Sequence, residues 1–82
     1  MSRYRVEYAP VAASSRNALR ADIRTRLDRA VDRLADDPYG GSQAISSSEP
    51  DRRQALAGDC LIVFYVSRGI LQITVVRLQG PP

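Results

Sequence analysis

The sequence contains no histidine and no lysine, and its single cysteine is Cys60. One cysteine excludes an internal disulfide and a cysteine-based zinc site, and without histidine no mixed metal site can be completed. No cofactor is expected, and a reducing compartment, the cytoplasm, fits this cysteine usage best. Long apolar runs are also missing: no stretch reaches the roughly 18 residues needed to cross a bilayer. The opening Met1-Ser2-Arg3-Tyr4-Arg5 leads into alternation rather than into an apolar run of signal-peptide length. The expectation is therefore neither secretion nor membrane insertion.

Charge of one sign is in short supply as well. Twelve arginines face nine acids for a net +3, eight against six up to Pro38 and four against three from Tyr39 onward. A nucleic-acid partner is permitted by this balance but not demanded, because a phosphate-binding footprint would cluster its charge. Arginine without lysine suits bidentate phosphate contacts, yet the codon usage of a GC-rich genome accounts for the bias without any function.

The 82 residues are enough for one domain with a modest core. A composition of 44% hydrophobic and 26% charged residues is that of a folded chain. Residues 3–8 alternate, with Tyr4, Val6 and Tyr8 on one face, and predict a half-buried strand closed by Ala9-Pro10. From Val11 to Asp37 there is neither glycine nor proline. Ile23, Leu27, Val31 with Ala30, and Leu34 recur at helical spacing, so a helix is predicted over about 21–36, with a shorter one over about 11–19. Whether the two form a hairpin or run on is open, although Asp22 is a potential N-cap. Asp22 with Arg26, Arg24 with Asp28 and Arg33 with Asp37 stand at i,i+4, the spacing of mutually neutralising charges on a solvated face.

Asp36-Asp37-Pro38-Tyr39-Gly40-Gly41 stops the helix. The serine-rich stretch that follows makes 38–51 a predicted loop, and Gly40-Gly41-Ser42 lacks the spacing and lysine of a phosphate loop. Strands are predicted at about 52–57, 60–67 and 70–78, joined by the two-residue connections Gly58-Asp59 and Arg68-Gly69. The middle strand, Cys60 to Val66, is apolar on both faces and should lie centrally with both faces covered, one by the helices and the other by something apolar, such as a partner. The fold class is α+β, in the order β-α-α-β-β-β, two helices packed on a small antiparallel sheet.

That order, with Leu-Ala-Asp-Asp-Pro at 34–38 and Gly-Asp-x-x-Ile-Val-x-Tyr-Val at 58–66, resembles the RelE/ParE toxin superfamily nearly end to end. The resemblance implies a toxin neutralised by a cognate antitoxin encoded beside it. For the RelE branch it implies metal-independent cleavage of mRNA on the ribosome; for ParE-like members it implies inhibition of DNA gyrase. In the family, the groups that handle charge sit on the second strand, just after the Gly-Asp turn, and in a basic tail. Here those positions hold Gln54, Leu56 and Leu61, and the tail is reduced to Gln79-Gly80-Pro81-Pro82. The remaining catalytic candidates are Arg52, Arg53, Arg77 and Tyr65. Adjacent strand residues point to opposite faces, so only one of Arg52 and Arg53 can enter a common site. Each candidate also has a plainer role, Arg77 as a solvated strand-end charge and Tyr65 as core.

Two functions follow as expectations. One is a RelE-like toxin acting on translated mRNA with a degenerate site. The other is a non-catalytic binding protein on the same scaffold, either a gyrase inhibitor or a decayed toxin that binds only its antitoxin. A stand-alone small-molecule enzyme has little behind it, because no nucleophile–base pair or cofactor loop is visible.

Overall fold

The structure is a computed structural model that describes residues 3–81. Met1 and Ser2, of the opening segment read above for a signal peptide, and Pro82, of the Gln79-Gly80-Pro81-Pro82 stretch, lie outside the described residues. The elements are β1 (Arg5–Tyr8), α1 (Pro10–Asn17), α2 (Ala21–Asp36), β2 (Gln43–Ser46), β3 (Glu49–Ala57), β4 (Cys60–Ser67) and β5 (Gln72–Gln79), with a 3-10 turn at Arg68–Ile70. They form one five-stranded sheet in the order β1-β5-β4-β3-β2. Among the described residues no helix is long and apolar enough to cross a membrane.

Both helices lie on one side of the sheet. Pro10 opens α1, where its missing N–H costs nothing, and Ala18 to Arg20 separate the two helices, which settles the junction as a break. Asp22 sits inside the first turn of α2 rather than capping it; Arg20 holds the cap position without a side-chain hydrogen bond. The α2 stripe works as its spacing predicts: Leu27, Ala30, Val31 and Leu34 are buried against Ala55 and Ala57 of β3, Ile62, Phe64 and Val66 of β4, and Ile73 and Val75 of β5.

The charge pairing on the helices departs from the i,i+4 expectation. Asp28 is taken by Arg16 of α1, whose Nε and Nη2 donate to its two carboxylate oxygens at 2.9 and 2.6 Å. Arg24 instead donates to the Leu19 carbonyl. Arg26 donates to Asp59 in the β3–β4 turn and keeps the expected i,i+4 ion pair with Asp22, at 4.0 Å. For Asp28 fork geometry explains the preference, since two parallel bonds from Arg16 outweigh a single exposed contact along one helix.

Three further corrections concern the sheet. The predicted loop 38–51 contains β2, which pairs with the first part of β3 around a Ser47-Ser48 turn. This edge strand faces water on its outer side and carries no apolar alternation to announce it. The sheet is mixed rather than wholly antiparallel, because β1 pairs in parallel with β5, Arg5 opposite Gln72 and Tyr8 opposite Val75. The β4–β5 connection is longer than Arg68-Gly69: Ser67 pairs with Gln72, and Leu71 takes a left-handed φ of 50°. A two-residue hairpin turn needs positive φ at its first central position, which Arg68 does not offer. Gly58-Asp59 does close a tight hairpin, with Gly58 at φ 63° and so near the backbone of Arg26 that a Cβ would come within 3.0 Å.

Candidate functional site on the open sheet face

With one helical layer, the sheet has one covered face, and strand periodicity dictates what the other must carry. Cys60, Ile62, Phe64 and Val66 are buried, so Leu61, Val63 and Tyr65 point away from the helices. Leu61 and Tyr65 are each 40% exposed. β4 is central as expected and packs one face on the helices; its other face, expected to meet something apolar such as a partner, is open within this chain.

Register assigns the neighbours. Across β3, Tyr65 pairs with Arg52, Val63 with Gln54 and Leu61 with Leu56. Residues directly opposite share a face, so Arg52, Gln54 and Leu56 belong to the open side. Arg53 pairs with Phe64 and belongs to the other. There its guanidinium donates to the Ser42 hydroxyl, the Ser42 carbonyl at 3.0 Å and the Pro50 carbonyl at 2.8 Å, and lies 5.0 Å from the centre of the Tyr39 ring. Arg53 is thus committed to fastening the Tyr39–Ser42 segment and the β2–β3 hairpin, and does not reach the candidate site.

Arg77 reaches the open face through an irregularity. From Ser67 to Phe64 the β4–β5 ladder runs regularly, ending with Phe64 opposite Val75; the next pair is Val63 with Arg77, which leaves Val76 as an extra residue. A bulge of one residue exchanges the faces of everything beyond it. Without it Arg77 would oppose Ile62 over the core. With it, Leu78 opposes Ile62 and packs against the core, while Arg77 stands beside Val63. The sequence signal was present: Ile73 and Val75 set the core parity, Arg77 violates it and Leu78 restores an apolar residue one step out of phase.

The structure therefore brings together three of the four candidates, Arg52, Tyr65 and Arg77, on three adjacent strands. Arg52 and Tyr65 are direct cross-strand partners. Arg77 lies diagonally from Tyr65 at about 7–8 Å between backbones. Neither arginine has a carboxylate partner among the described residues, and the Arg52 Nε is buried without any hydrogen-bond partner. Such a group is costly to leave unpaired, and the Arg24 Nε on α2 is in the same position. Two guanidiniums around a phenol can bind a phosphodiester and offset charge that develops on it. No group of histidine, cysteine and carboxylate side chains able to hold a metal occurs among the described residues.

Gln54, Leu56 and Leu61, the three positions where the resemblance asks for charge, also come together. With Gly40, Gly41, Ser42, Gln43 and Ala55 they line a shallow groove of about 630 Å³ beside the arginines. Leu56, at 78% exposure, is its most prominent apolar group. The three positions are thus spatially one patch, neutral and largely apolar.

Titration outside this face follows packing. Burial pushes the Cys60 thiol above its usual range, with the Asp59 carboxylate adding to the effect. Burial, and then the Asp28 charge, raises the Tyr8 phenol against the opposing influence of Arg16, which lies over its ring.

No family model matches the sequence, and no curated protein matches it significantly. Solved structures do. A chain of a RelBE toxin–antitoxin complex from Mycobacterium tuberculosis superposes with a TM-score of 0.85 at 14% identity, over 98% of this chain and 93% of that one. This chain has the RelE fold. A mutated E. coli toxin RelE in the free state matches with a TM-score of 0.76 and 13% identity, over 96% and 84% of the two chains. An archaeal RelE–RelB complex from Pyrococcus horikoshii matches at 0.73 and 17%, over 96% of both. The RelE fold thus extends over nearly the whole chain at a level of identity that fixes architecture but not side chains.

Proposed function

We propose that this chain is the toxin of a type II toxin–antitoxin pair, held inactive by a cognate antitoxin, and that when free it acts in the cytoplasm on mRNA engaged with the ribosome. The observation that carries the reading is the convergence of Arg52, Tyr65 and Arg77 on one open face of a RelE fold. In the proposed cleavage the RNA 2′-oxygen attacks the adjacent phosphorus, the bond from phosphorus to the 5′-oxygen breaks, and a 2′,3′-cyclic phosphate and a 5′-hydroxyl result. Arg52 and Arg77 stabilise the charge on the phosphorane, and the Tyr65 phenol donates a proton to the leaving oxygen while the 2′-hydroxyl proton passes to solvent. No step requires a cofactor. Inducing the gene alone should stop growth and cut ribosome-bound message, and R52A together with R77A should abolish both. Unchanged growth and intact message with soluble protein present would overturn the reading.

A second reading is favoured by the neutral groove. If each charge-handling group contributes about 10²-fold to rate, glutamine and leucine at 54, 56 and 61 leave a slow nuclease at best. The face then serves binding alone, to an antitoxin or, in the ParE manner, to DNA gyrase. Growth arrest with intact message and gyrase recovered on the tagged protein would select this alternative. Recovery of neither gyrase nor a small neighbouring antitoxin would remove it.

A further inference from the structure

The open face continues past Tyr65 to the far edge of the sheet, and register assigns it. Tyr65 pairs with Thr74 of β5, and Ser67 with Gln72. In the parallel ladder Thr74 stands beside Glu7 of β1, and Gln72 beside Arg5. Val6 and Tyr8 of β1, like Ile73 and Val75 of β5, pack on the core, so Arg5, Glu7, Gln72 and Thr74 point to the same side as Tyr65. One row therefore crosses four strands in the order Glu7, Thr74, Tyr65, Arg52. Glu49 and Asp51, the other acids of the strands, share the parity of Arg53 on the opposite face. Glu7 is thus the one strand carboxylate on the open side among the described residues, and it has no ion-pair partner there.

Thr74 is the low point of this row. Its hydroxyl accepts from Gln72 Nε2 at 3.0 Å, and Gln72 Oε1 accepts from Arg5 Nη2 at 2.9 Å. The Thr74 hydroxyl thereby keeps its own proton to donate outward. Between the longer side chains of Glu7 and Tyr65 lies a shallow seat floored by a donor. The backbones of Glu7 and Tyr65 are two strand spacings apart, about 10 Å, which lets the two side chains meet opposite sides of one phosphodiester. We propose that Glu7 is the general base of the cleavage. With the phosphate over Thr74, its carboxylate takes the proton of the 2′-hydroxyl as the 2′-oxygen bonds to phosphorus, and Tyr65 on the other side protonates the departing 5′-oxygen. Glu7 then releases its proton to solvent, and the Tyr65 phenolate recovers one from solvent, which restores both groups. The charged groups nearest the row are Arg5 on β1, Arg52 on β3 and Arg77 on β5, and they offset the repulsion between carboxylate and phosphate. This role rests on the nuclease reading of the same face.

The test is single-turnover cleavage of ribosome-bound message by the full chain, from mildly acid to mildly alkaline pH. E7Q should cut about 100-fold more slowly at neutral pH, with a half-saturating concentration of message-bearing ribosomes no higher than the parent's. In the parent the rate should rise with pH and level off once the base is ionised; in E7Q it should climb steadily with hydroxide, and E7D should restore the plateau in part. A message with sulfur in place of the scissile 5′-oxygen separates the two groups, because a thiolate leaves without needing a proton. That message should rescue Y65F and leave E7Q slow. A parental rate or a parental pH profile in E7Q, or rescue of E7Q by the sulfur leaving group, would each overturn the role of Glu7 and leave the toxin reading standing. A parent chain that cuts no message overturns both.

Discussion

The two faces of the sheet are made of alternate residues of the same strands, yet they obey different rules. The covered face is apolar beneath α1 and α2, where Ile62, Phe64, Ile73 and Val75 are fully buried, and carries charge only towards its β2 edge, at Arg53. The open face mixes Leu61, Val63 and Tyr65 with Arg52, Gln54 and Arg77. Folding energy selects the first set, since each buried side chain contributes about 1.5–3 kcal/mol. The second set is free of that demand, so its composition carries the functional information.

Neighbouring substitutions should separate the faces most sharply. F64A should destabilise the protein by about 3–5 kcal/mol, whereas L61A, three residues away on the open face of the same strand, should change stability by about 0.5 kcal/mol or less. Urea unfolding of both variants measures the contrast, and equal losses would mean that the open face is covered. One residue inserted after Val76 should be nearly as damaging, at about 3 kcal/mol or more, because the register would then carry Arg77 opposite Ile62, into the core and unpaired. V76A keeps the bulge and should lose far less in the same measurement.

The adjacent arginines sharpen the comparison on a smaller scale. R53A removes several hydrogen bonds and a ring contact behind the sheet and should cost about 1–3 kcal/mol. R52A should be close to neutral in stability while abolishing any RNA cleavage, so thermal melts and a cleavage assay should respond to opposite members of the pair. Smaller still is a gain: L71G relieves a left-handed backbone that costs a non-glycine residue about 1–2 kcal/mol, partly offset by the entropy of glycine. A rise in melting temperature is the expected result.

The smallest effect is on pH. Tyr8 titrates above its unfolded value, so above about pH 10 the unfolded chain releases its proton first and binds fewer protons than the folded one. Stability therefore falls as pH rises from there through the folded value. Y8F should flatten that part of the profile, as read by urea midpoints across alkaline pH.

The sequence made the covered face legible and left part of the open face dark, for reasons that lie in particular residues. The helical stripe from Ile23 to Leu34 and the Gly58-Asp59 hairpin are local patterns with one physical solution. The opposite facing of Arg52 and Arg53 follows from the period of a strand and holds in the ladder. β2 was hidden because Gln43 to Ser46 has no buried side to pattern it. The parallel pairing of β1 with β5 is decided by tertiary closure. The bulge at Val76 could have been read from the misplaced charge of Arg77, but it was not. The i,i+4 pairing of Asp28 failed because a better fork partner, Arg16, arrives from another helix.

The parallel pairing has a consequence in time. Arg5 reaches Gln72 across 67 positions of sequence, so during synthesis β1 must wait while both helices and the other three strands are made before its partner exists. Contacts of such long range close late. Until β5 is added, β1 has no ladder to join and Arg77 is absent, so a message broken before that point yields a chain that cannot assemble the arginine pair. Synthesis of β5 is thus itself a checkpoint on the face the protein presents.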